Sequence, residues 1–193
     1  MITPYHIILA SNSPRRKELL AGLDIPFDVR VIDGIDESYP DDLATHGIAQ
    51  YISQKKAAAY RLSIASDELD ITADTIVVLG AHVMGKPHDA AEAHAMLREL
   101  SGRTHQVITG VTLTTIDRQT SFSVITDVTF KAFTDDEIDY YVSNYRPFDK
   151  AGAYGIQEWI GHIGVTAING SYFNVMGLPV QRIYEALKTF NTI

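Results

Sequence analysis

Residues 7 to 20 read Ile7-Ile8-Leu9-Ala10-Ser11-Asn12-Ser13-Pro14-Arg15-Arg16-Lys17-Glu18-Leu19-Leu20, a short apolar run followed at once by the start of a helix. The apolar run 7–10 predicts a buried strand. Ser13 is a preferred N-cap residue and Pro14 suits the first helical position. The stretch therefore predicts a strand that leads directly into a helix, the first pair in a chain of alternating elements.

Three cations, Arg15, Arg16 and Lys17, fall in the first turn of this helix. The positive end of the helix macrodipole disfavours each of them by roughly 0.3–1 kcal/mol when they are exposed. The cluster makes sense if a multiply charged anion completes the site, held by backbone amides and guanidinium groups together. The alternative is a solvated basic turn, softened by the neighbouring Glu18.

The composition is that of an ordinary globular chain with an acidic balance. Of 193 residues, 46% are hydrophobic and 21% charged, and the formal net charge is −8. This charge argues against non-specific binding to nucleic acid or to an anionic membrane, so a small anionic ligand suits the basic turn better. The sequence has no cysteine, which excludes disulfides, thiolate zinc sites and thiol nucleophiles. With no signal-peptide pattern and no apolar run that could span a membrane, we expect a cytoplasmic protein.

Hydrophobic periodicity and turn residues predict a mixed α/β unit. The predicted strands span about 7–10, 27–32, 71–79, 104–116, 121–130 and 162–168, and the predicted helices about 14–23, 43–64, 87–100, 134–144 and 179–190. The sequence Thr134-Asp135-Asp136-Glu137 matches a capping box. No linker or repeat divides the chain. We therefore predict one domain over residues 1–193, with a mixed central sheet flanked by helices and two lobes around a cleft.

One acidic residue, Asp74, interrupts the β-branched run 71–79. A carboxylate is costly to bury in such a strand unless it is paired or binds a metal. It is either an ordinary strand-end Asp that caps a turn or pairs with a lysine, or a metal ligand or general base at the mouth of the sheet. We favour the second interpretation.

Two lysines offer the matching positive charge. Lys86 follows Gly85 in a loop, where glycine allows close approach of the backbone to a ligand. This is not a Walker loop, because the pattern Gly-x-x-x-x-Gly-Lys-Ser/Thr is absent from the sequence. Lys56 lies on the predicted helix 43–64, and taken alone it is better interpreted as part of a solvated helical face.

A loop rich in small residues occupies positions 149 to 157, which read Asp149-Lys150-Ala151-Gly152-Ala153-Tyr154-Gly155-Ile156-Gln157. The Gln157 amide can both donate and accept hydrogen bonds, as reading the Watson–Crick edge of a base requires. The alternative is a turn with a satisfied polar side chain. The seven histidines follow no metal-ligand spacing. Any metal should therefore be a hard cation on carboxylate and phosphate oxygens, Mg²⁺ or Mn²⁺.

Taken together, these segments resemble the Maf family of nucleoside triphosphate pyrophosphatases, over nearly the whole chain and in the family's order. The matching pieces are Leu9 to Arg16, Asp36-Glu37, Lys56-Ala57, Ala73-Asp74-Thr75, Gly85-Lys86-Pro87, Leu100-Ser101-Gly102-Arg103-Thr104-His105-Gln106-Val107, Asp149 to Gln157 and Gly170-Ser171-Tyr172-Phe173-Asn174-Val175. The resemblance implies a Maf/ITPase-like fold and hydrolysis of a nucleoside triphosphate to the monophosphate and pyrophosphate with a divalent cation.

The resemblance also implies roles for single residues. Asp74 resembles the catalytic carboxylate and, with Glu37, a metal ligand. Ser11, Arg15, Arg16, Lys56 and Lys86 match phosphate-binding positions, and Arg15, Thr75 and Gln157 match positions linked to substrate choice. The form of the segment 149–157 resembles the subfamily that acts on dTTP and UTP.

Other functions remain open at this stage. They are hydrolysis of 7-methyl-GTP, as in a second subfamily, and nucleotide sensing without turnover in a regulator of cell division. One departure bears on base choice: Glu158 and Trp159 follow Gln157, where relatives often have a glycine. We expect a nucleoside triphosphate as the only partner, with no nucleic acid or membrane, and leave assembly as a homodimer open.

Overall fold

The computed structural model describes residues 3–191 and contains one seven-stranded mixed sheet. The strands are β1 (His6–Leu9), β2 (Phe27–Val29), β3 (Glu68–Leu79), β4 (His82–Met84), β5 (Thr104–Thr114), β6 (Gln119–Phe130) and β7 (Val165–Asn169). Their order is β2-β1-β3-β5-β6-β7, and β4 pairs with β3 beside this path. β1 runs parallel to β2 and β3, whereas β4 is antiparallel to β3 and β7 is antiparallel to β6.

Seven α-helices accompany the strands in the described range: α1 (Pro14–Ala21), α2 (Thr45–Tyr60), α3 (Ala90–Leu100), α4 (Asp135–Tyr145), α5 (Trp159–Gly164), α6 (Tyr172–Val175) and α7 (Val180–Lys188). Two 3₁₀ turns cover Ala151–Ala153 and Thr189–Asn191. None of the helices in this range is long and apolar enough to cross a membrane.

The first compact unit comprises residues 3–74, 109–124 and 177–191 of the described chain. In it, α2 buries one face, because Ile48, Ile52 and Tyr60 recur at helical spacing. The Thr72 hydroxyl on β3 donates to the Ser53 carbonyl of α2 at 2.8 Å. This contact fixes α2 against the strand that ends, within this unit, at Asp74.

The second unit comprises residues 75–108 and 125–176 and has its own apolar core. Leu97 and Leu100 of α3, Tyr141 of α4 and Phe130 of β6 are buried in that core. The Thr134 hydroxyl accepts from the backbone of Glu137, whose side chain accepts from the backbone of Thr134. The predicted capping box is therefore present at the start of α4.

The prediction of a mixed sheet flanked by helices, arranged as two lobes, is confirmed. The predicted cleft and the prediction of one domain stay predictions. The strand predicted over 162–168 was partly wrong, since α5 extends through Gly164 and β7 begins at Val165. The short strand β4 and helix α6 were missed because three or four residues carry too little periodicity.

Gly110 on β5 marks the closest approach of α2 to the sheet. A Cβ added there would lie 2.3 Å from backbone atoms of Ala49 and Gln50. We expect Gly110→Ala to lower the free energy of unfolding by about 3 kcal/mol, the upper end of the usual cost of overpacking a core. The cost is high because the backbone of α2, unlike a side chain, cannot rotate away from the new methyl group. Urea denaturation followed by circular dichroism measures this change.

The matched control is Gly47→Ala within α2, where the nearest atom to the new Cβ would be Leu43 Cδ1 at 3.6 Å. That substitution should stabilise the chain by about 0.5–1 kcal/mol, the helical preference for alanine over glycine. Equal stability of Gly110→Ala and the wild type would contradict the proposed close approach.

Asp70 of β3 is a fully buried carboxylate whose two oxygens accept no hydrogen bond within the described chain. Burial raises the pKa of Asp70 from 3.8 to about 6. The positive charge of Arg30, whose Nη1 is 3.9 Å from Asp70 Oδ1, opposes this increase, and the negative charge of Glu68 adds to it. The folded state therefore holds this proton more tightly than the unfolded state does. The resulting stabilisation is complete below pH 3.8 and is lost as the pH rises through about 6.

Asp70→Asn removes this titration while keeping the neutral shape of the side chain. Relative to the wild type, its free energy of unfolding should rise between pH 4 and pH 7 by about 2–3 kcal/mol, since one pKa unit corresponds to about 1.4 kcal/mol. Denaturant melts of both proteins across this range measure the difference. A difference that stays constant with pH would contradict the assignment.

Candidate active site

Asp74 lies at the end of the first unit's part of β3 and is paired with a lysine. Its Oδ1 is 2.7 Å from Lys56 Nζ, and the two side chains are only 12% and 14% exposed. Asp74 is thus paired with a lysine, as the interpretation that was not favoured expected, and its role as a metal ligand or general base stays a prediction. The interpretation of Lys56 as a solvated helical residue is wrong. A single sequence could not reveal this pair, because 18 positions separate the two residues.

The same ammonium holds a second carboxylate. Lys56 Nζ is 2.9 Å from Oε1 of Glu37, which lies in the loop between β2 and α2 and is about half exposed. Because one ammonium contacts both acids, the carboxylates of Glu37 and Asp74 lie close enough to share a cation. Residues predicted as the two metal ligands are therefore neighbours in space.

A second lysine secures the loop that carries Glu37. Lys55 Nζ is 2.7 Å from Asp36 Oδ2 and 2.8 Å from the Ser38 carbonyl. The hydrogen bonds from Lys55 and Ser38 hold the pKa of Asp36 well below its usual range. Two consecutive lysines of α2 thus bind two consecutive acids of the loop. Sequence reasoning missed this role of Lys55, although the doublets Asp36-Glu37 and Lys55-Lys56 are visible in the sequence.

The predicted start of α1 is confirmed in detail. Ser13 is the N-cap, its hydroxyl accepts from Arg16 N at 3.4 Å, and Pro14 is the first helical residue. The Ser11 hydroxyl accepts from Ser13 N at 3.3 Å, so it shapes the turn before the helix. Whether Ser11 also binds phosphate stays a prediction.

Arg16 reaches from this turn to the strand that carries the acid. Its Nη1 donates to the Ala73 carbonyl at 2.9 Å and its Nε to the Gly177 carbonyl at 2.8 Å. Loss of solvent lowers the pKa of the Arg16 guanidinium, and the carboxylate of Asp74 raises it. The positive charge of Arg15 lowers the pKa of Arg16 further, and the carboxylate of Glu37 raises it. Arg15 and both acids therefore lie within electrostatic range of Arg16.

The donor set suits a hard divalent cation that is shared with a substrate. No group of three or more His, Cys, Asp or Glu side chains that could hold a metal occurs among residues 3–191. Glu37 and Asp74 supply carboxylate oxygens, the donors that Mg²⁺ and Mn²⁺ prefer. Mg²⁺ commonly takes one or two protein carboxylates and completes its shell with water and substrate phosphates, so these two residues fit that pattern.

The second unit contains the remaining predicted residues. Thr75 follows Asp74 on β3 and is partly buried, and Lys86 is exposed in the loop after β4. In that loop the Gly85 carbonyl accepts from Gly152 N at 3.0 Å. Gly152 has φ of +68°, and a Cβ there would lie 2.9 Å from Val77 Cγ2, so only glycine fits. The loop of Lys86 and the segment 149–157 are thereby fastened together.

The middle of the segment 149–157 is held by a hydrogen bond between two aromatic side chains. The Tyr154 hydroxyl is 2.8 Å from Nε2 of His105 on β5, and both residues are buried. Burial lowers the pKa of His105 to about 4, so the imidazole is neutral near pH 7. This pairing makes His105 a support for the loop and not a charged ligand.

Gln157 ends the segment and Glu158 follows it, and their side chains differ in hydrogen bonding. Gln157 Oε1 is buried and has no hydrogen-bond partner in the described part of the chain. The Glu158 carboxylate accepts a hydrogen bond from the Tyr141 hydroxyl, and its Oε1 lies 3.2 Å from Lys150 Nζ. Sequence reasoning gave no role to Tyr141 or Lys150 and noted Glu158 only as a departure that bears on base choice. The contact among the three was not predictable, because it joins α4 to two separate loop positions.

The predicted site residues therefore fall into two groups. The first unit holds Ser11, Arg15, Arg16, Glu37, Lys56 and Asp74, and the second holds Thr75, Lys86 and Gln157. The contacts above bring Arg16, Glu37, Lys56 and Asp74 together within the first unit. The individual roles expected for all nine residues stay predictions.

Comparison with known proteins gives a consistent picture. A protein from Phocaeicola vulgatus named dTTP/UTP pyrophosphatase is 64% identical over 184 residues, 95% of each chain. Proteins of the same name from Parabacteroides distasonis and Porphyromonas gingivalis are 60% and 50% identical over 96% of this chain, and over 96% and 94% of theirs. The solved structure of a HAM1 protein from Coxiella burnetii matches 96% of this chain and 99% of its own, at 16% identity and a TM-score of 0.42.

The family description "Maf-like protein" matches residues 6–190, which include every predicted site residue. The family match covers nearly the whole sequence, and the relatives named above are 50–64% identical to it. The chain belongs to the Maf-like protein family.

Proposed function

We propose that this chain is a nucleoside triphosphate pyrophosphatase that hydrolyses dTTP and UTP to the monophosphate and pyrophosphate. The observation that carries the proposal is the contact of one lysine, Lys56, with two acids, Glu37 and Asp74, beside the arginine pair of α1. The names of relatives at 50–64% identity support the substrate class.

The chemistry assigns a separate task to each group. Water attacks the α-phosphorus, the bond to the bridging oxygen of the β-phosphate breaks, and pyrophosphate leaves. Asp74 accepts the proton of the attacking water, as a general base held near the reacting centre. The cations Arg15, Arg16 and Lys56 of the first unit neutralise the triphosphate, as electrostatic catalysis of phosphoryl transfer requires, and Lys86 stays a predicted phosphate ligand.

A divalent cation, Mg²⁺ or Mn²⁺, belongs to the proposal, with Glu37 and Asp74 as the residues that would hold it. When bound, such an ion neutralises phosphate oxygens and the charge that develops on the leaving pyrophosphate. Lys56 Nζ already contacts both carboxylates and balances part of their negative charge.

The setting follows from the substrate. Nucleoside triphosphates are cytoplasmic metabolites, and we therefore place the protein in the cytoplasm. The net charge of −8 supports a small-molecule partner in preference to nucleic acid or an anionic membrane. Assembly as a homodimer stays a prediction that light scattering of the purified protein decides.

The reaction and its base are tested together by Asp74→Asn. Wild type with Mg²⁺ should convert dTTP and UTP to monophosphate and pyrophosphate, identified by chromatography. Asp74→Asn should lower kcat by about 10²–10⁴-fold, the usual contribution of a general base, while dTTP binding measured by calorimetry persists or tightens. The matched control is Asp70→Asn, a buried acid on the same strand, which should keep its turnover at pH 7.

Each alternative function predicts a different outcome of this experiment. Release of orthophosphate would refute the reaction class, and faster turnover of 7-methyl-GTP than of dTTP would assign the chain to the second subfamily. Affinity for nucleotides without turnover in any divalent metal would identify a sensor.

The metal is tested by chelation and by one acid of the pair. EDTA should abolish turnover, and Mg²⁺ or Mn²⁺ should restore it. Glu37→Gln should raise the Mn²⁺ concentration needed for half-saturation by about tenfold, seen both in activity and as bound Mn²⁺ in electron paramagnetic resonance with dTMP present. Asp42→Asn, an exposed acid of the same loop, is the control that makes the same change in charge. Unchanged Mn²⁺ binding in Glu37→Gln would remove Glu37 from the metal site.

A further inference from the structure

Glu158 is held by two side chains that are themselves buried. The hydroxyl of Tyr141, a fully buried residue of α4, donates to Glu158 Oε2. The ammonium of Lys150, with a side chain 9% exposed, is 3.2 Å from Glu158 Oε1 and 2.7 Å from Asp149 Oδ1. Burial and the hydrogen bond to Glu158 raise the pKa of Tyr141, so its hydroxyl keeps the proton that it donates. The carboxylate therefore has a fixed position.

The same contacts fix the turn that carries Gln157. Tyr141 Oη accepts from Gly155 N at 3.0 Å, and Glu158 N donates to the Gly155 carbonyl at 3.0 Å. Gly155 and Glu158 are thus joined both directly and through one tyrosine oxygen. The backbone of Gln157, which lies between them, is held in a closed four-residue turn.

The carboxylate also lies on one side of the Gln157 amide. A Cβ built on Gly155 would be 3.0 Å from both Gln157 Nε2 and Glu158 Oε2, so these atoms lie against the same glycine. A negative charge on that side attracts the amide NH₂ group and repels the amide oxygen. The orientation seen, with Nε2 toward Gly155 and Oε1 away, is the one that this charge favours.

The amide oxygen is left without a partner. Gln157 Oε1 is buried and accepts no hydrogen bond from residues 3–190, and burying an acceptor without a donor is unfavourable. Such an acceptor would gain a hydrogen bond from a ligand that presents an N–H group. At neutral pH the N3 atom of uracil and thymine carries a hydrogen, whereas the N3 atom of cytosine is an acceptor.

We propose that Glu158 is a positioning residue that fixes the Gln157 amide with its oxygen presented to the base, and so favours uracil and thymine over cytosine. The inference rests on the proposed function, since it needs Gln157 to contact the base. The carboxylate acts only through Gln157 and does not touch the substrate.

Glu158→Gln tests the inference, because it keeps the shape and removes the charge that orients the amide. Lys150 keeps Asp149 as a partner in this variant, so no buried ammonium loses its last counter-ion. The ratio of kcat/KM for UTP to that for CTP should fall by about tenfold or more, chiefly through a lower KM for CTP. The kcat for UTP should change by less than about threefold, a separation that general loosening of the fold does not produce.

Two further variants complete the design. Glu99→Gln is the matched control, a glutamate paired with His82 on the surface of the same unit, and should leave the UTP-to-CTP ratio unchanged. Tyr141→Phe keeps the Glu158 charge but removes its hydrogen bond, so it should lower the ratio in the same direction by a smaller factor. If Glu158→Gln does not fold, Tyr141→Phe carries the test.

Failure of the inference and failure of the proposed function give different results. If the wild type prefers UTP to CTP and neither Glu158→Gln nor Tyr141→Phe alters the ratio, the positioning role is refuted and the pyrophosphatase stands. If the wild type hydrolyses neither nucleotide, the proposed function falls first and the inference falls with it.

Discussion

The contact of the Lys56 ammonium with Glu37 and Asp74 is the interaction on which the rest of the candidate site depends. A carboxylate that is 12% exposed in a β-branched strand would be strongly destabilising without a positive partner. The partner comes from α2, and α2 can approach the sheet closely because β5 has glycine at position 110. The ion pair therefore depends on packing in the first unit, since α2 must approach β3 closely for Lys56 to contact Asp74.

The cationic first turn of α1 is explained partly within the chain itself. Arg15 and Arg16 lie where the helix macrodipole disfavours positive charge. Arg16 is compensated by two backbone carbonyls, Ala73 and Gly177, and by the nearby carboxylates. Arg16 thus ties the start of α1 to the residue before Asp74, which makes it part of the scaffold as well as a candidate phosphate ligand.

Sequence patterns predicted the features that depend on neighbours in the chain. The Ser13 cap, the capping box at Thr134 and the need of Asp74 for a partner all follow from local rules. Features that depend on distant contacts were not predictable. Lys56 becomes the partner of Asp74 only because α2 packs on β3. The contacts of Glu158 with Tyr141 and Lys150 likewise join positions that are separate in the sequence.

Orientation by charge unites the two groups of residues. In the first unit Lys56, which is largely buried, positions the carboxylates of Glu37 and Asp74. In the second unit Glu158, held by the buried Tyr141 and Lys150, positions the amide of Gln157. A long side chain with several rotatable bonds is a poor recognition element unless its conformations are restricted. Gln157 is such a side chain, and its amide oxygen is unfavourably buried, since it accepts no hydrogen bond within the described part of the chain. Pairing Glu158 with Tyr141 and Lys150 allows the fold to retain that unfavourable acceptor, because the neighbouring carboxylate makes the flipped amide more unfavourable still.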